Sequence, residues 1–356
     1  MERIGHPSAH AWRRAGAAAV LALAAIWLLA AARPAFGAGS FSGEFKDRVI
    51  KGPAPRASAS SSSAPSYPVA GGGAVRVQVD PAYAGSGALE RVLDTLGKTV
   101  HGAEMNRLTV HIADQGNLFA ACGQNATACY FPSSETMVVS GSPDNPNNQM
   151  PQAMVITHEY GHHIEANRSL PGWNASDLGA RHWATYEHVC EGVGAGTLFP
   201  GDQGAHYWDN PGEAFAQAYA TMLYPDGAPW WWHFAAPDEG AYAAIRADVA
   251  DTSSGTTTRW ARKLAPGSPS AATTVTTSSD GPIAVRLRQP RRGRFVVKLR
   301  GPDGRVLKRG RTVRRSSSKS QPVTQLSYSS CGTRSVTLEV HRLDGRGKFQ
   351  ARISRP

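Results

Sequence analysis

The chain has 356 residues, which at the usual domain size corresponds to about two domains. With 41% hydrophobic residues and 9 tryptophans it can bury a large core, and its single long apolar run lies near the N-terminus, so a disordered chain and a polytopic membrane protein are both excluded. The net charge of +11 comes from a basic C-terminal part: residues 280–356 carry 20 Lys or Arg and four acidic side chains, whereas residues 38–279 carry a net −8. The two parts are therefore expected to be separate domains with different surfaces.

Residues 1–37 have the pattern of an export signal peptide. Arg13 and Arg14 precede an apolar stretch over residues 15–32, and the small residues Ala35 and Gly37 fit a cleavage site. Because the stretch is just long enough to cross a bilayer, an uncleaved N-terminal membrane anchor is the alternative. Either outcome places the rest of the chain outside the cytoplasm, as a secreted or cell-surface-associated protein.

Residues 38–73 are rich in Ser, Pro, Gly and Ala, which predicts a low-complexity linker that is also a candidate propeptide. An α+β domain is expected over residues 74–251. Its hydrophobic patterns predict, in chain order, a strand at 75–79, a helix at 87–101, strands at 108–113 and 136–140, and helices at 152–167, 210–223 and 239–249.

Residues 252–279 are rich in Thr, Ser and Pro, which predicts a second linker. After it, short apolar alternations separated by turn sequences predict strands at 283–287, 295–299, 336–340 and 349–353. We therefore expect a small, basic, all-β sandwich over residues 280–356.

Four cysteines fit an oxidising compartment and allow three pairings. Cys122 and Cys129 lie in one short Gly-, Asn- and Ala-rich stretch, so a bridge between them is the easiest to close. Cys190 and Cys331 then either form a second bridge that joins the two domains or remain as unlinked thiols. The sequence leaves both outcomes open.

The motif that suggests a catalytic metal site is His158-Glu159-Tyr160-Gly161-His162, within the helix predicted at 152–167. Two histidines four positions apart lie about 40° apart around a helix axis, so both can bind one zinc ion. Glu159 then lies beside the open coordination position, where it can act as a general base toward metal-activated water. A surface helix with incidental histidines is the alternative. His163 faces the opposite side of the helix and is expected to be structural.

A catalytic zinc ion usually has a third protein ligand, and the best candidate is Glu213, which begins the apolar pattern of the helix at 210–223. The same glutamate could instead belong to an N-terminal cap, with Asn210 as the capping residue and Pro211 at the first helical position. The periodicity does not decide between the two. Glu165 lies on the ligand face of the helix predicted at 152–167, where it either supports a ligand or is solvated.

The sequences HEYGH at 158–162 and EAFAQAYATM at 213–222 together resemble the gluzincin zinc metallopeptidases, especially those similar to the catalytic domain of anthrax toxin lethal factor. The resemblance implies a zincin-like catalytic domain with a mixed sheet and an active-site helix. It also implies one catalytic Zn²⁺ with His158, His162 and Glu213 as ligands, and Glu159 as the general base.

Enzymes of this group often have a tyrosine shortly before the third ligand, which stabilises the oxyanion. Tyr207 is the first candidate for that role and His206 is the second. The family commonly has an acidic residue where this chain has Gln217, so the role of Gln217 is open. By the same analogy, the strand at 136–140 is expected to be the edge strand along which a substrate peptide aligns.

The C-terminal part resembles the bacterial pre-peptidase C-terminal type of β-sandwich, in residues 329–334 and in the strand sequences that follow them. Its basic cluster would suit acidic envelope polymers or another anionic surface, with a merely solvated face as the alternative. No aromatic residues interleave with these charges, so we expect no specific nucleic-acid partner. A monomer is expected. The cluster consists of Arg309, Arg311, Arg314, Arg315 and Lys319.

The expected function is that of a secreted zinc-dependent endopeptidase with a peptide or protein substrate. One alternative is a non-catalytic surface adhesion or binding protein on a zincin scaffold. The intact Glu159 argues against it, because a binding protein needs no base between its ligands. The other alternative is a metal hydrolase of cell-wall amide bonds, which the predicted edge strand disfavours without excluding it.

Overall fold

The computed structural model describes residues 47–54, 64–143, 150–251, 255–291, 293–313 and 321–356. The predicted export signal lies outside these residues. None of the helices in the described ranges combines the length and apolar character needed to cross a bilayer. The architecture is mixed α/β with several sheets: a helical part built around one sheet is followed by a β-sandwich.

The first sheet has five strands in the order β1-β2-β3-β5-β4. Strands β2, β3 and β5 are parallel, whereas β4 pairs antiparallel with β5. The strands predicted at 75–79, 108–113 and 136–140 are therefore confirmed, and β1 and β4 are additional. The bounds are Ser66–Pro68 for β1, Ala74–Val79 for β2, Thr109–Ala113 for β3, Ala128–Phe131 for β4 and Thr136–Ser140 for β5.

The expectation that residues 136–140 form the edge strand was wrong. Strand β5 lies between β3 and β4, and β4 is the last strand on that side of the sheet. The Cys122–Cys129 disulfide holds the start of β4 against the preceding helix, and Ala128 then pairs with Val139. The polar residues before Ala128 hide this strand in the sequence, although all four of its residues are buried.

Eight α-helices lie in the described part of the α/β region, and those predicted at 87–101, 152–167, 210–223 and 239–249 are among them. Helix α3 is buried nearly all round, because the core residues Ile156, Tyr160 and Ile164 face one side and helix α7 covers another. The helices are α1 (Ala88–Lys98), α2 (Gln115–Cys122), α3 (Gln152–Arg168), α4 (Ala175–Leu178), α5 (Arg181–Tyr186), α6 (Val189–Ala195), α7 (Pro211–Leu223) and α8 (Glu239–Ala250).

The C-terminal part consists of two antiparallel sheets, in the orders β10-β9-β13-β7 and β11-β12-β8-β14-β6. Their inward residues form one apolar cluster that includes Val297, Leu338 and Phe349. The strands are β6 (Thr256–Leu264), β7 (Ser270–Thr277), β8 (Gly281–Arg288), β9 (Gly293–Arg300), β10 (Val306–Arg309), β11 (Arg311–Val313), β12 (Val323–Ser330), β13 (Arg334–Gly345) and β14 (Gly347–Arg355).

The second predicted linker, residues 252–279, is instead largely strand. Its described residues contribute β6 to one sheet and β7 to the other. Threonine is as suited to strands as to linkers, because its branched Cβ packs well on a pleated surface. Val275 and Thr277 are buried in alternation with exposed neighbours, which is the strand period.

The predicted spacer at 38–73 is also partly ordered. Residues 66–68 form β1 on the outer edge of the sheet, and the next residue, Val69, is buried. Closer to the N-terminus, Val49 is buried and forms an isolated parallel bridge with Tyr130 of β4. The few apolar residues in this Ser- and Pro-rich stretch are therefore the ones that anchor it.

Both disulfides are formed. Cys122–Cys129 is the bridge expected from the sequence, and Cys190 and Cys331 form the inter-domain bridge that was one of the two outcomes left open for them. The second bridge joins α6 to the segment between β12 and β13, so it links the α/β part covalently to the sandwich. Beside it, the backbone N–H of Asp280 donates to Thr185 Oγ1 at 2.7 Å.

Candidate metal centre

Helices α3 and α7 approach closely enough to bring three predicted ligands together. Gly161 makes this possible: a Cβ at that position would lie 2.8 Å from the Cα of Ala216. Across the contact, Glu213 Oε2 lies 3.5 Å from His158 Nε2 and 3.2 Å from His162 Nε2. All three side chains are fully buried.

A fourth residue, Asp47, completes the group and was not foreseen from the sequence. Its Oδ2 lies 2.7 Å from His158 Nε2 and 3.3 Å from His162 Nε2. Burial alone would raise the pKa of Asp47, but contact with the two histidines holds that pKa well below its usual range. Asp47 therefore adds a buried carboxyl group to the three predicted ligand side chains.

The donor atoms of Asp47, His158, His162 and Glu213 all lie within 4.8 Å of one another, so the group could hold a metal ion. Four ligands placed tetrahedrally at about 2.0–2.1 Å from an ion are about 3.3 Å apart. Three of the four separations given above, from 3.2 to 3.5 Å, match that value, and only the contact between Asp47 and His158 is shorter. Two imidazole nitrogens and two carboxylate oxygens thus form a suitable donor set.

Each histidine is oriented by a second side chain. We assign the Nδ1–H of His158 as donor to Gln217 Oε1 at 3.0 Å, and the Nδ1–H of His162 as donor to Glu165 Oε2 at 2.9 Å. Both assignments leave the Nε2 lone pairs directed at the centre. Gln217 and Glu165, whose roles the sequence left open, therefore both contact a histidine of the group, and neither is solvated.

Replacing Gln217 by alanine is expected to weaken metal binding by about 10- to 100-fold, because His158 loses the acceptor that fixes its ring and tautomer. Gln217→Glu keeps an acceptor at the same position and should bind metal as tightly as the parent protein. Competition with a chromophoric chelator measures both affinities. Equal affinities for the alanine variant and the parent would contradict the orienting role.

Glu159 and Tyr207 lie beside the group. Glu159 is fully buried, and neither of its carboxylate oxygens has a hydrogen-bond partner within the described residues. Burial raises the pKa of Glu159 well above its usual value, and the negative charge of Asp47 adds to the rise. The Tyr207 hydroxyl contacts Asp47 Oδ1 and lies 3.1 Å from Glu213 Oε2.

Two features at the start of α7 separate the alternatives for Glu213. The side chain of Asn210 caps the helix by accepting from the N–H of Gly212 at 3.2 Å. Glu213 takes no part in that cap, because Oε2 faces the histidines and Oε1 accepts a hydrogen bond from Gln203 Nε2. Gln203 was not expected at the site, since it belongs to a loop without periodicity.

Other residues singled out in the sequence do not join the group. His206 stacks on Phe199 with 3.7 Å between ring centroids, so it does not share the position of Tyr207. His163 is held between the Tyr130 hydroxyl at 2.8 Å and the Glu104 carbonyl at 2.9 Å, and burial lowers its pKa to about 4. It is a structural histidine, as expected. Of the basic cluster, Arg314, Arg315 and Lys319 lie outside the described residues.

Gly161→Ala tests the helix contact that assembles the group. The added Cβ, 2.8 Å from Ala216 Cα, must push α3 and α7 apart, and overpacking of this kind costs about 1–3 kcal/mol of the free energy of unfolding. Metal affinity should fall as well, because His162 and Glu213 sit on opposite sides of the contact.

Gly194→Ala is the matched control for this substitution. Gly194 is an exposed residue of α6, and a Cβ there would meet nothing within 4 Å. The control should leave metal affinity unchanged and leave stability equal or slightly higher. Denaturant unfolding and chelator competition measure both variants, and an unchanged Gly161→Ala protein would contradict the packing argument.

Comparisons with known proteins give little help in assigning this site. No protein-family model matches the chain, and no curated protein matches it. Among solved structures, the pre-peptidase C-terminal domain of a collagenase from Bacillus anthracis is similar at 14% identity and a TM-score of 0.23, covering 28% of this chain and 89% of that chain. A similarity this low assigns neither family nor activity.

Proposed function

We propose that this chain is a secreted zinc metallopeptidase with a zincin-like catalytic part, in which His158, His162 and Glu213 hold the ion. One observation carries the proposal: Glu213 Oε2 on one helix lies within 3.5 Å of both histidine Nε2 atoms on the other, beside a buried glutamate without a hydrogen-bond partner among the described residues. A buried, unpaired carboxylate is costly unless a nearby charge or a reaction uses it. Glu159 is therefore best explained as a functional group.

Zinc is the proposed ion because two imidazoles and a carboxylate are ligands that it favours in hydrolytic sites. A zinc ion bound there supplies Lewis-acid polarisation of the scissile carbonyl and makes the attacking water more acidic. The two disulfides suit the oxidising surroundings of a secreted protein.

The remaining roles follow from the positions of the side chains. Glu159 accepts the proton of the attacking water and passes it to the departing amine. The Tyr207 hydroxyl, which lies 3.1 Å from Glu213 Oε2, would donate a hydrogen bond to the oxyanion that develops on the carbonyl oxygen. Gln217 and Glu165 hold the two histidine rings and take no direct part.

Peptides are the proposed substrates because of strand β4. It is the last strand of its sheet, and its residue Tyr130 contacts His163 of the helix that carries the ligands. An extended peptide can add to such an edge through main-chain hydrogen bonds, which hold it in register beside the site.

The test is cleavage of a proteome-derived peptide library by zinc-loaded protein, followed by mass spectrometry. Both the parent chain and its Asp47→Ala variant are used, because Asp47 contacts the Nε2 atoms of both histidine ligands. Cleavage by at least one of them, lost on chelation and in a matched Glu159→Gln variant, is the expected result. If neither protein cleaves any peptide while zinc is bound, the peptidase proposal is wrong.

A further inference from the structure

Asp47 reaches the metal group from a segment that binds to the edge of the sheet. Residues 47–54 precede the sheet in the chain, and residues 55–63, outside the described part, lie between them and β1. The backbone N–H of Ile50 donates to the Tyr130 carbonyl at 2.9 Å, and the Tyr130 N–H donates to the Arg48 carbonyl at 3.0 Å. The segment thus occupies the edge of β4 on which a substrate peptide would pair.

Side-chain contacts hold the segment on that edge. Ile50 and Ala54 pack against the apolar cluster that includes Leu118 and Phe131. Ser133 Oγ donates to the Gly52 carbonyl at 2.6 Å. The segment is therefore docked along its length, and Asp47 is its innermost residue, with only 2% of its surface exposed.

The contacts of Asp47 are those that a substrate carbonyl would need. Its two oxygens lie against His158 Nε2, His162 Nε2 and the Tyr207 hydroxyl. A catalytic zinc site has three protein ligands and one open position, whereas a site with four protein ligands is closed. With Asp47 as the fourth ligand, the two carboxylates also balance the charge of a divalent ion, so the closed group is neutral and suited to burial.

We propose that residues 47–54 are an autoinhibitory segment that keeps the site closed, with Asp47 as the displaceable fourth ligand. The inference rests on the proposed function for its biological meaning, although the competition for the fourth position is measurable without any substrate. Activation then requires the segment to leave β4, which opens the coordination position, frees the Tyr207 hydroxyl and exposes the strand edge together.

The first test uses Co²⁺ in place of zinc, because the visible absorption of Co²⁺ reports its ligands. A small hydroxamic acid, which binds metal through two oxygens, is titrated into the parent and into Asp47→Ala. The variant should respond at a concentration lower by on the order of tenfold or more, because a tethered carboxylate competes at an effective concentration in the millimolar range.

Lys51→Ala is the matched control from the same segment. Lys51, whose side chain is 65% exposed, forms an ion pair with Asp177 at 3.0 Å and is not a member of the buried metal group. Exposed pairs of this kind contribute little to stability, so the segment should stay docked. The hydroxamate titration of this variant is expected to match that of the parent.

The second test releases the segment from folded protein. Residues 55–63 are replaced by the recognition sequence of a site-specific protease, and the purified, metal-loaded protein is cut and separated from the freed peptide. Cutting should lower the hydroxamate concentration required, as Asp47→Ala does, and should increase peptide hydrolysis. Adding back a synthetic peptide of residues 38–54 should reverse both effects, and the same peptide with Ala at position 47 should not.

Two results would overturn the inference. Equal hydroxamate titrations for the parent, Asp47→Ala and the cut protein would mean that Asp47 does not close the site. Loss of Co²⁺ from Asp47→Ala would mean that Asp47 is a permanent ligand instead of a displaceable one. Neither result depends on peptide cleavage, so the failure of this inference is distinguishable from the failure of the proposed peptidase activity.

Discussion

Glu159→Gln is expected to lower the rate of peptide hydrolysis by about 10²- to 10⁴-fold, which is the usual contribution of a general base. Glutamine has nearly the same shape but cannot accept the proton of the attacking water. Because Glu159 makes no hydrogen bond within the described residues, the substitution removes none there, and the variant should fold and bind zinc as the parent does. Steady-state kinetics on one peptide from the library and the zinc content by mass spectrometry measure the two effects.

Glu165→Gln provides the control for this variant. Glu165 is another fully buried glutamate on the same helix, and its contact with His162 Nδ1 requires only an acceptor, which glutamine also supplies. The control is expected to lose less than about tenfold in rate, within the range of an outer-shell change. Similar losses in both variants would show that the removal of charge, and not the loss of the base, limits the reaction.

Removal of the Cys190–Cys331 bridge is expected to cost about 5 kcal/mol of the free energy of unfolding. The two cysteines are 141 residues apart, and in the chain-entropy description a disulfide stabilises more when it closes a longer loop. The bridge also joins the α/β part to the sandwich, so its loss should separate their unfolding transitions. Denaturant unfolding of a variant with Cys190→Ala and Cys331→Ala, followed by circular dichroism and tryptophan fluorescence, tests both points.

The Cys122–Cys129 bridge is an internal comparison. Its cysteines are only 7 residues apart, and the same description gives a loss of about 2.5 kcal/mol for a variant with both replaced by alanine. This variant should still unfold in one transition, because the bridge lies within the α/β part. A larger loss here than for Cys190–Cys331 would contradict the loop-length argument.

The two histidines could be predicted from the sequence, because the period of a helix fixes the relative direction of residues along it. His158 and His162 share a helix, so their spacing fixes their relative direction before any tertiary contact is known. Glu213 needed more than spacing, because its position three residues after Asn210 suits a cap equally well. Only the approach of α7 to α3 at Gly161 shows which way its carboxylate points.

Asp47 could not have been found in this way. It lies 115 positions before His162 in the chain and belongs to a Ser- and Pro-rich stretch whose composition predicts no ordered structure. Its position depends on main-chain hydrogen bonds to β4, and such bonds do not require particular side chains in the pairing segment. The sandwich strands β6 and β7 were missed for a related reason, since their many threonines also suit a linker.

Because residues 47–54 are covalently connected to the sheet, the proposed activation by cleavage can proceed in one direction only. While the chain is intact, Asp47 returns to the metal group after every excursion, because its tether keeps it nearby. Once the connection is cut and the short peptide diffuses away, dilution into the surroundings removes that advantage. Activation would then be irreversible, and the amount of active enzyme would depend on how many chains have been cut.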